Sequence, residues 1–245
     1  MKIGITGARG FIGSHIAKSL RVIKGVKVFS YDLPESNLLD VTALSRFVKG
    51  KDVIIHAGAV NRGTDTDVIA GTVVATYNLI SVIGKLKHKP KIIFLSSVQA
   101  ETETLYGISK KLAETMLADF AKTCDVQVSI FRVANVFGEG CRPFYNSVVA
   151  TFCYQLARGE SVEVNPSSKR FNFVYVNDLV SEIVKNATSS KKTPFYFKRV
   201  ISKNELTISE LAASLKRIAA SKGKGLKSKL EKDLYRTYLS HKESK

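Results

Sequence analysis

An α/β fold, a doubly wound parallel sheet followed by a small C-terminal lobe, is predicted by three features of this 245-residue chain. Strand-like and helix-like segments alternate through its first half, which calls for a parallel sheet with helices on both faces. The runs "VIIH" and "IIFL" are continuously apolar, as strands buried on both faces must be. Directly behind the first apolar run, "GITGARGFIG" at residues 4–13 places Gly7, Gly10 and Gly13 three apart.

The elements follow in order. "KIGIT" (2–6) is a β-branched strand, and 11–23 carries Phe11, Ile12, Ile16, Leu20 and Ile23 at helical spacing. A second strand over 26–32 ends in Asp32. A short helix over 40–50 can be stopped by Gly50. A third strand begins at 52 and runs into a Gly/Ala loop by residue 60. A long helix is expected over Asp67–Leu86, then a strand over 91–97, a strongly amphipathic helix over 106–123 and a strand over 127–134. After Asn135 the pattern loosens: a helix over 146–160, a short strand over 161–164, a strand then a helix over 171–187, and a helix over 207–225 opened by the capping box Thr207–Glu210. The expected division is a core over 1–135 and, over 136–245, a smaller lobe with some elements returning to the core and a basic lysine-rich tail.

Composition narrows the class. With 44% hydrophobic and 24% charged residues the chain is an ordinary globular protein. No apolar run is expected to reach the roughly 18–20 residues of a membrane span. The chain starts at once with a strand, which leaves no room for a leader. Cys124, Cys141 and Cys153 are odd in number and form no CxxC pair, so reduced cytoplasmic thiols are expected, with no disulfide framework and no metal site. The net charge of +17 has two readings, nucleic-acid binding or a surface that attracts anionic small molecules. Much of the excess sits in Lys191–Arg199 and from Lys216 to Lys245. No aromatic-interleaved basic motif or helix-turn-helix signal accompanies it, which favours the second reading.

The glycine spacing points to a Rossmann-like dinucleotide turn. Gly7 allows the tight turn, Gly10 lets a helix N-terminus approach a pyrophosphate, and Gly13 lets the helix pack on the sheet. Phosphate oxygens there meet unpaired N–H groups and the positive end of the helix dipole. Asp32, at the end of the next strand, can accept both ribose hydroxyls of NAD(H) or only cap a loop. Arg9 can pair with a 2′-phosphate or stay solvated. Asp40 can accept from the adenine amino group or cap its helix, and the two are compatible.

Chemistry enters with "YGISK". Tyr106 and Lys110, at i and i+4, project from one helix face. A nearby ammonium stabilises phenolate and eases proton transfer. Ser97, ending the preceding strand, can hydrogen-bond a substrate oxygen. Together they suit hydride exchange at a carbon bearing oxygen.

These residues, with "KGKDVIIHAGAV", "FRVANVFG" and "FVYVNDL", resemble in order the extended short-chain dehydrogenases/reductases of the nucleotide-sugar epimerase/dehydratase group, across residues 1–180. The resemblance implies a Rossmann domain, NAD(P) and a nucleotide-diphosphate-sugar substrate. Within that group, "CRPFYNSVVATFCYQLARGESVEVN", "LEKDLYRTYLS" and "HAGAVNR" are similar to the bacterial capsular-polysaccharide UDP-2-acetamido-2,6-dideoxy-hexos-4-ulose reductases. The cofactor set implied is Gly7, Arg9, Gly10, Phe11, Ile12, Gly13, Asp32, Asp40, Val41, Ala57, Gly58, Ala59, Tyr106, Lys110 and Val133, holding NADPH or NADH. Asp32 favours NAD; Arg9 and the family favour NADP. Candidates for sugar and pyrophosphate are Asn135, Arg142, Tyr145, Asn146, Lys169 and Arg170. Arg142 and Arg170 are equally readable as surface residues, and Asn146 as a helix cap.

Three departures matter. The capsular family continues into a cupin domain that handles C3 epimerisation, and this chain stops near where that linker would begin, so a separate C3-epimerase is expected, or a substrate that needs none. Thr72 stands where many relatives carry a proton-relaying Asn. Arg9 and Asp32 leave the cofactor choice open.

Absent residues then select the reaction. A 4,6-dehydratase is expected to follow its Ser/Thr with Asp–Glu; here Val98 and Gln99 follow Ser97. A combined epimerase–reductase needs a Cys/His pair, but His15, His56, His88 and His241 fall away from the expected sugar position. Cys141 reads more readily as a small buried thiol than as such an acid. The expected function is NAD(P)H-dependent reduction of the 4-keto group of a UDP-linked 6-deoxy-HexNAc in the cytoplasm, by a homodimer, with catalytic Ser97, Tyr106 and Lys110, no membrane partner and no nucleic-acid role. A UDP-sugar 4-epimerase with tightly bound NAD and a non-catalytic dinucleotide sensor are the alternatives.

Overall fold

Backbone N–H and C=O groups taken out of water must be paired, and this chain pairs them in two sets of strands. The computed structural model describes residues 1–243 except Asn61, Pro166 and Asn204. The chain divides into two units, Met1–Val133 with Val180–Val200, and Ala134–Leu179 with Ile201–Lys245.

The first unit holds a six-stranded parallel sheet of β1 (Lys2–Thr6), β2 (Lys27–Tyr31), β3 (Val53–His56), β4 (Lys91–Ser97), β5 (Val128–Val133) and β8 (Phe195–Val200), in the order β2-β1-β3-β4-β5-β8. The central strands β3 and β5 are buried along their whole length; β3 accordingly reads as an apolar run, whereas β5 also buries Ser129 and Arg132. The edge strands β2 and β8 are largely exposed or half-buried. That explains why β8 is missing from the expected elements. Its "FYFKRV" lies in a stretch whose lysines and arginines read as solvated charge.

Around the sheet run α1 (Phe11–Arg21), α2 (Val41–Val48), α5 (Leu105–Cys124) and a long helix built of α3 (Asp65–Ile69), a π-helical turn (Ala70–Val74) and α4 (Ala75–Gly84). The long helix starts two residues earlier than expected, because Thr64 and Asp67 form a capping box. Over Asp65–Gly84 it is long and apolar enough to cross a membrane, contrary to the expectation that no run is. Its glycines, alanines and threonines extend the apolar stretch, and its buried residues Leu79, Val82 and Ile83 join the core beside Leu117 and Phe120 of α5.

The second unit pairs β6 (Asn135–Phe137) in parallel with β7 (Phe171–Tyr175), and β7 in antiparallel with β9 (Glu205–Leu206). Its helices α6 (Val148–Ala157), α8 (Ile208–Ala220) and α9 (Lys229–Glu243) pack on one another. The unit boundary falls inside α7 (Val176–Thr188). Three expectations are corrected here. Residues 161–164 form no strand, since among the described residues no strand pairs with them, although Val162 is buried. Ser147 rather than Asn146 caps α6, its hydroxyl accepting from the N–H of Ala150. The lysine-rich tail is helical as α9. Leu234, Thr237 and Tyr238 are buried beneath its charged face.

Leu234 is fully buried, so Leu234→Ala should destabilise the protein by about 2–5 kcal/mol. Urea unfolding followed by circular dichroism measures this, and an unchanged midpoint would show that α9 contributes nothing to the fold.

Candidate active site

The strand order reverses between β1 and β3, and in open α/β sheets a crevice forms at the carboxyl ends of the strands where that happens. The turns after β1 and β3 meet there. Gly7 has φ +75, and a Cβ on it would lie 2.7 Å from the Gly58 nitrogen. A Cβ on Gly13 would lie 2.0 Å from the Gly7 carbonyl oxygen. Gly10 is the N-cap of α1 and supplies no side-chain cap, so the first N–H groups of the helix keep their positive end bare. Phe11 and Ile12 open the helix; Ala57, Gly58 and Ala59 form the facing turn.

At the end of β2, Asp32 accepts from the backbone N–H of Arg9 (2.9 Å) through Oδ1, while Oδ2 is buried with no hydrogen-bond partner. The Arg9 guanidinium donates to Glu35 Oε2 (2.6 Å) and to the Leu33 carbonyl (3.3 Å). Asp40 caps α2, accepting from the N–H of Ala43 at 2.9 Å. Val41 beside it is exposed, and Val133 is buried at the end of β5. A bare helix N-terminus, a turn admitting no side chain and an orphaned carboxylate oxygen at the end of β2 fit a dinucleotide's pyrophosphate and adenosine ribose.

Ser97 ends β4, and its hydroxyl accepts from the N–H of Gln99 (3.2 Å) and hydrogen-bonds the Tyr106 phenol. Burial pushes Tyr106 up to about 12, and the Ser97 hydrogen bond offsets part of that. Lys110 is buried one turn along α5. Its Nζ donates to the Leu95 carbonyl (2.8 Å) and lies 4.8 Å from the Phe94 ring centroid and 5.8 Å from that of Tyr106. Burial draws Lys110 down to about 8, and the Glu114 carboxylate pulls it back up. Burial and Ser97, not the Lys110 ammonium, set the Tyr106 shift in this structure. The lysine instead stands between a backbone carbonyl and two ring faces.

Sequence reasoning missed the charges behind this group. Glu114, four residues past Lys110, accepts from Ser96 Oγ (2.5 Å) and from Arg132 Nε (3.0 Å), and pairs with Arg132 through its second oxygen as well. Arg132 also pairs with Glu101 (2.8 Å), which reaches Arg199 (3.1 Å). The i, i+4, i+8 spacing of Tyr106, Lys110 and Glu114 was a readable signal. The partner Arg132 comes from another strand and was not.

A second buried network was also missed. His56 Nδ1 lies 2.7 Å from Thr6 Oγ1 and Nε2 lies 3.3 Å from Thr76 Oγ1. The Thr76 hydroxyl donates to the Thr72 carbonyl (2.6 Å) and Gly58 N–H donates to Thr6 Oγ1 (3.3 Å). Thr76 therefore accepts from an Nε2–H, Nδ1 accepts from Thr6, and every group is satisfied with the imidazole neutral. Thr72, in the π-helical turn, is buried, and its hydroxyl oxygen has no partner.

The expected sugar-binding residues Asn135, Arg142, Tyr145, Asn146, Lys169 and Arg170 all lie in the second unit. Asn135 donates to the Asn172 carbonyl (3.1 Å) and Arg142 stacks on the Tyr145 ring (5.6 Å). Lys169 covers the Phe171 ring (5.3 Å). The Arg170 guanidinium is engaged by Glu210 (3.1 Å) and the Glu205 carbonyl (2.5 Å), partners contributed by a distant segment. Asn146 is exposed. Among the described residues no group of three or more His, Cys, Asp or Glu side chains could hold a metal ion. A basic groove of about 570 Å³, lined by Lys87, Lys89, Lys91 and Lys192, lies at the amino-terminal ends of β4 and β8, opposite Ser97 along the sheet.

This fold and cofactor turn define a nicotinamide-dinucleotide protein class, and the sequence agrees: the chain belongs to the NAD dependent epimerase/dehydratase family, matched over residues 3–195. It is 33% identical to the UDP-2-acetamido-2,6-beta-L-arabino-hexul-4-ose reductase of Pseudomonas aeruginosa, over 98% of this chain and 64% of that protein. The crystal structure of the capsular polysaccharide assembling protein CapF from Staphylococcus aureus superposes with a TM-score of 0.78 at 31% identity, over 98% of this chain and 65% of that one. The chain thus spans about two thirds of the length of these two relatives. The UDP-glucuronic acid 4-epimerase of Bacillus cereus, solved with NAD, has the same fold, with a TM-score of 0.88 at 19% identity over 100% of this chain and 99% of that one.

Burial lowers His56 from 6.5 to about 3. The unfolded chain therefore binds this proton first as pH falls, and stability is lost below pH 6.5 at up to about 1.4 kcal/mol per pH unit. Urea unfolding at pH 7, 6 and 5 should show that slope in the wild type and a shallower one in His56→Gln. Equal slopes would mean that His56 charges in the folded protein.

Proposed function

We propose that this chain reduces the 4-keto group of a UDP-linked 6-deoxy-HexNAc in the synthesis of a bacterial surface polysaccharide. The observation that carries the reading is the Ser97–Tyr106–Lys110 group at the end of β4 and the start of α5, in the same unit as a glycine turn fitted to a dinucleotide. The 33% identity to a UDP-sugar 4-keto reductase and the likeness to CapF support the substrate class.

A reduced nicotinamide supplies the hydride when bound. Tyr106 is protonated at neutral pH, because burial raises its pKa to about 12, and it gives that proton to the alkoxide that develops on the sugar. Ser97 hydrogen-bonds the same oxygen and polarises the carbonyl. Lys110, fixed by Leu95, holds positive charge behind the phenol and offers a donor to the nicotinamide ribose. Elimination of water is not part of this chemistry, since Val98 and Gln99 follow Ser97 and neither titrates. In this reading the first unit carries the cofactor and the second, with Asn135, Arg142, Tyr145, Asn146, Lys169 and Arg170, carries sugar and pyrophosphate.

The enzyme is read as a cytoplasmic homodimer, which its three free cysteines fit. Tyr77 of α4 and Ile108 and Leu112 of α5 are exposed apolar residues on two helices that pack on each other. Such a face suits burial against a second copy.

Purified protein given a UDP-4-keto-6-deoxy-HexNAc should oxidise NADH or NADPH, and Tyr106→Phe should lower kcat by on the order of 10²–10⁴. Unchanged turnover in that variant would remove the assigned roles. Tightly bound NAD carried through purification, visible in the absorbance spectrum, would favour a 4-epimerase instead. The rate should also fall above about pH 8 as Lys110 loses its proton; a pH–kcat/KM profile flat to pH 10 would contradict the lysine's role.

A further inference from the structure

The turn after β1 carries one guanidinium, and the structure shows what holds it. Arg9 NH1 donates to Glu35 Oε2 at 2.6 Å and to the Leu33 carbonyl at 3.3 Å. Glu35 is kept ionised: a backbone hydrogen bond, and then Arg9, hold its carboxyl below the usual carboxylate range. The neighbouring Asp32 has one oxygen on the Arg9 N–H and the other buried without a donor.

We infer that Glu35, by engaging Arg9, adds to the selectivity that Asp32 gives this site for a dinucleotide with a free adenosine 2′-hydroxyl, NADH over NADPH. A ribose hydroxyl brings the hydrogen that Asp32 Oδ2 lacks. A 2′-phosphate brings only charged acceptor oxygens at neutral pH. It would meet two carboxylates, Asp32 and Glu35, beside the cation Arg9. Both contacts use Arg9 NH1, so a phosphate would have to share the guanidinium with Glu35, which already offsets its charge. Asp32 supplies the larger part of the discrimination, because one of its oxygens is shielded from solvent. Glu35 and Arg9 are each 63% exposed in their side chains, so their pair contributes a smaller, separable part. Glu35 is outside the glycine motif, three residues past the acid that ends β2, and no spacing rule marks it.

The inference rests on the dinucleotide reading of the turn, and ligands that cannot transfer hydride test it independently of catalysis. Isothermal titration of the full chain with ADP-ribose and with 2′-phospho-ADP-ribose should give a Kd lower for ADP-ribose by on the order of tenfold or more, from the like-charge repulsion. Glu35→Gln should tighten 2′-phospho-ADP-ribose by about two- to fivefold, the range of one exposed ion pair, and leave ADP-ribose unchanged. Adding Arg9→Ala to that variant should abolish the gain. Tighter binding of the phosphorylated ligand by the wild type overturns the selectivity while leaving the dinucleotide reading intact. No change on Glu35→Gln overturns the role of Glu35. Failure of both ligands to bind overturns the dinucleotide reading and this inference with it.

Discussion

No side chain fits between the turn after β1 and the turn after β3. That backbone contact, Gly7 against Gly58 with Gly13 packed on the Gly7 carbonyl, is the constraint on which the rest of the site depends. It brings the bare end of α1 to the place where the strand order reverses. It also draws the end of β2 alongside, through the hydrogen bond from Gly7 N–H to the Tyr31 carbonyl and from Arg9 N–H to Asp32. The buried chain of Thr6, His56, Thr76 and Thr72 runs underneath and ties the same turns to α4. An anion site made from backbone N–H groups is only as well aimed as the backbone is fixed.

The chemical end depends on a different device. α5 is anchored to the sheet by the Glu114–Arg132 pair, two charged side chains almost fully shielded from water. Taking such ions out of water costs several kcal/mol each, roughly recovered by their attraction and hydrogen bonds, so the pair adds little net stability. Its value lies in geometry. Removing either partner would strand a buried charge, at about 3–5 kcal/mol, which fixes the register of α5 against β4 and β5. Tyr106 and Lys110 ride on that register, beside Ser97 at the end of β4. The carboxylate also offsets part of the desolvation that Lys110 suffers, so one ion pair both positions the lysine and supports its charge.

Much of this was readable in order along the chain. The sheet strands β3 and β4 announce themselves by continuous apolar runs, because both of their faces are covered. The capping box at Thr207–Glu210 and the i, i+4 pair Tyr106/Lys110 are local patterns with local causes. Elements whose burial depends on distant partners were misread. β8 looks like a basic stretch until β5 pairs with it, and α9 looks like a solvated tail until it packs on α6 and α8, with Leu234 and Tyr238 buried. "SVEV" alternates as a strand should, yet has no partner strand among the described residues.

The sequence by itself determined the fold class, the dinucleotide turn and the Ser–Tyr–Lys group. Each is encoded by short-range spacing, by glycine's missing side chain, or by family likeness over most of the chain. Only the tertiary structure decided the partners of the charged groups. Whether Arg9 stands free or lies on Glu35, whether Arg170 is solvated or held by Glu210, and whether Lys110 leans on Tyr106 or on the Leu95 carbonyl are questions of distance between segments that sequence order keeps apart. Electrostatic interactions fall off over a few ångströms and change with burial. Neither quantity exists until the chain has folded.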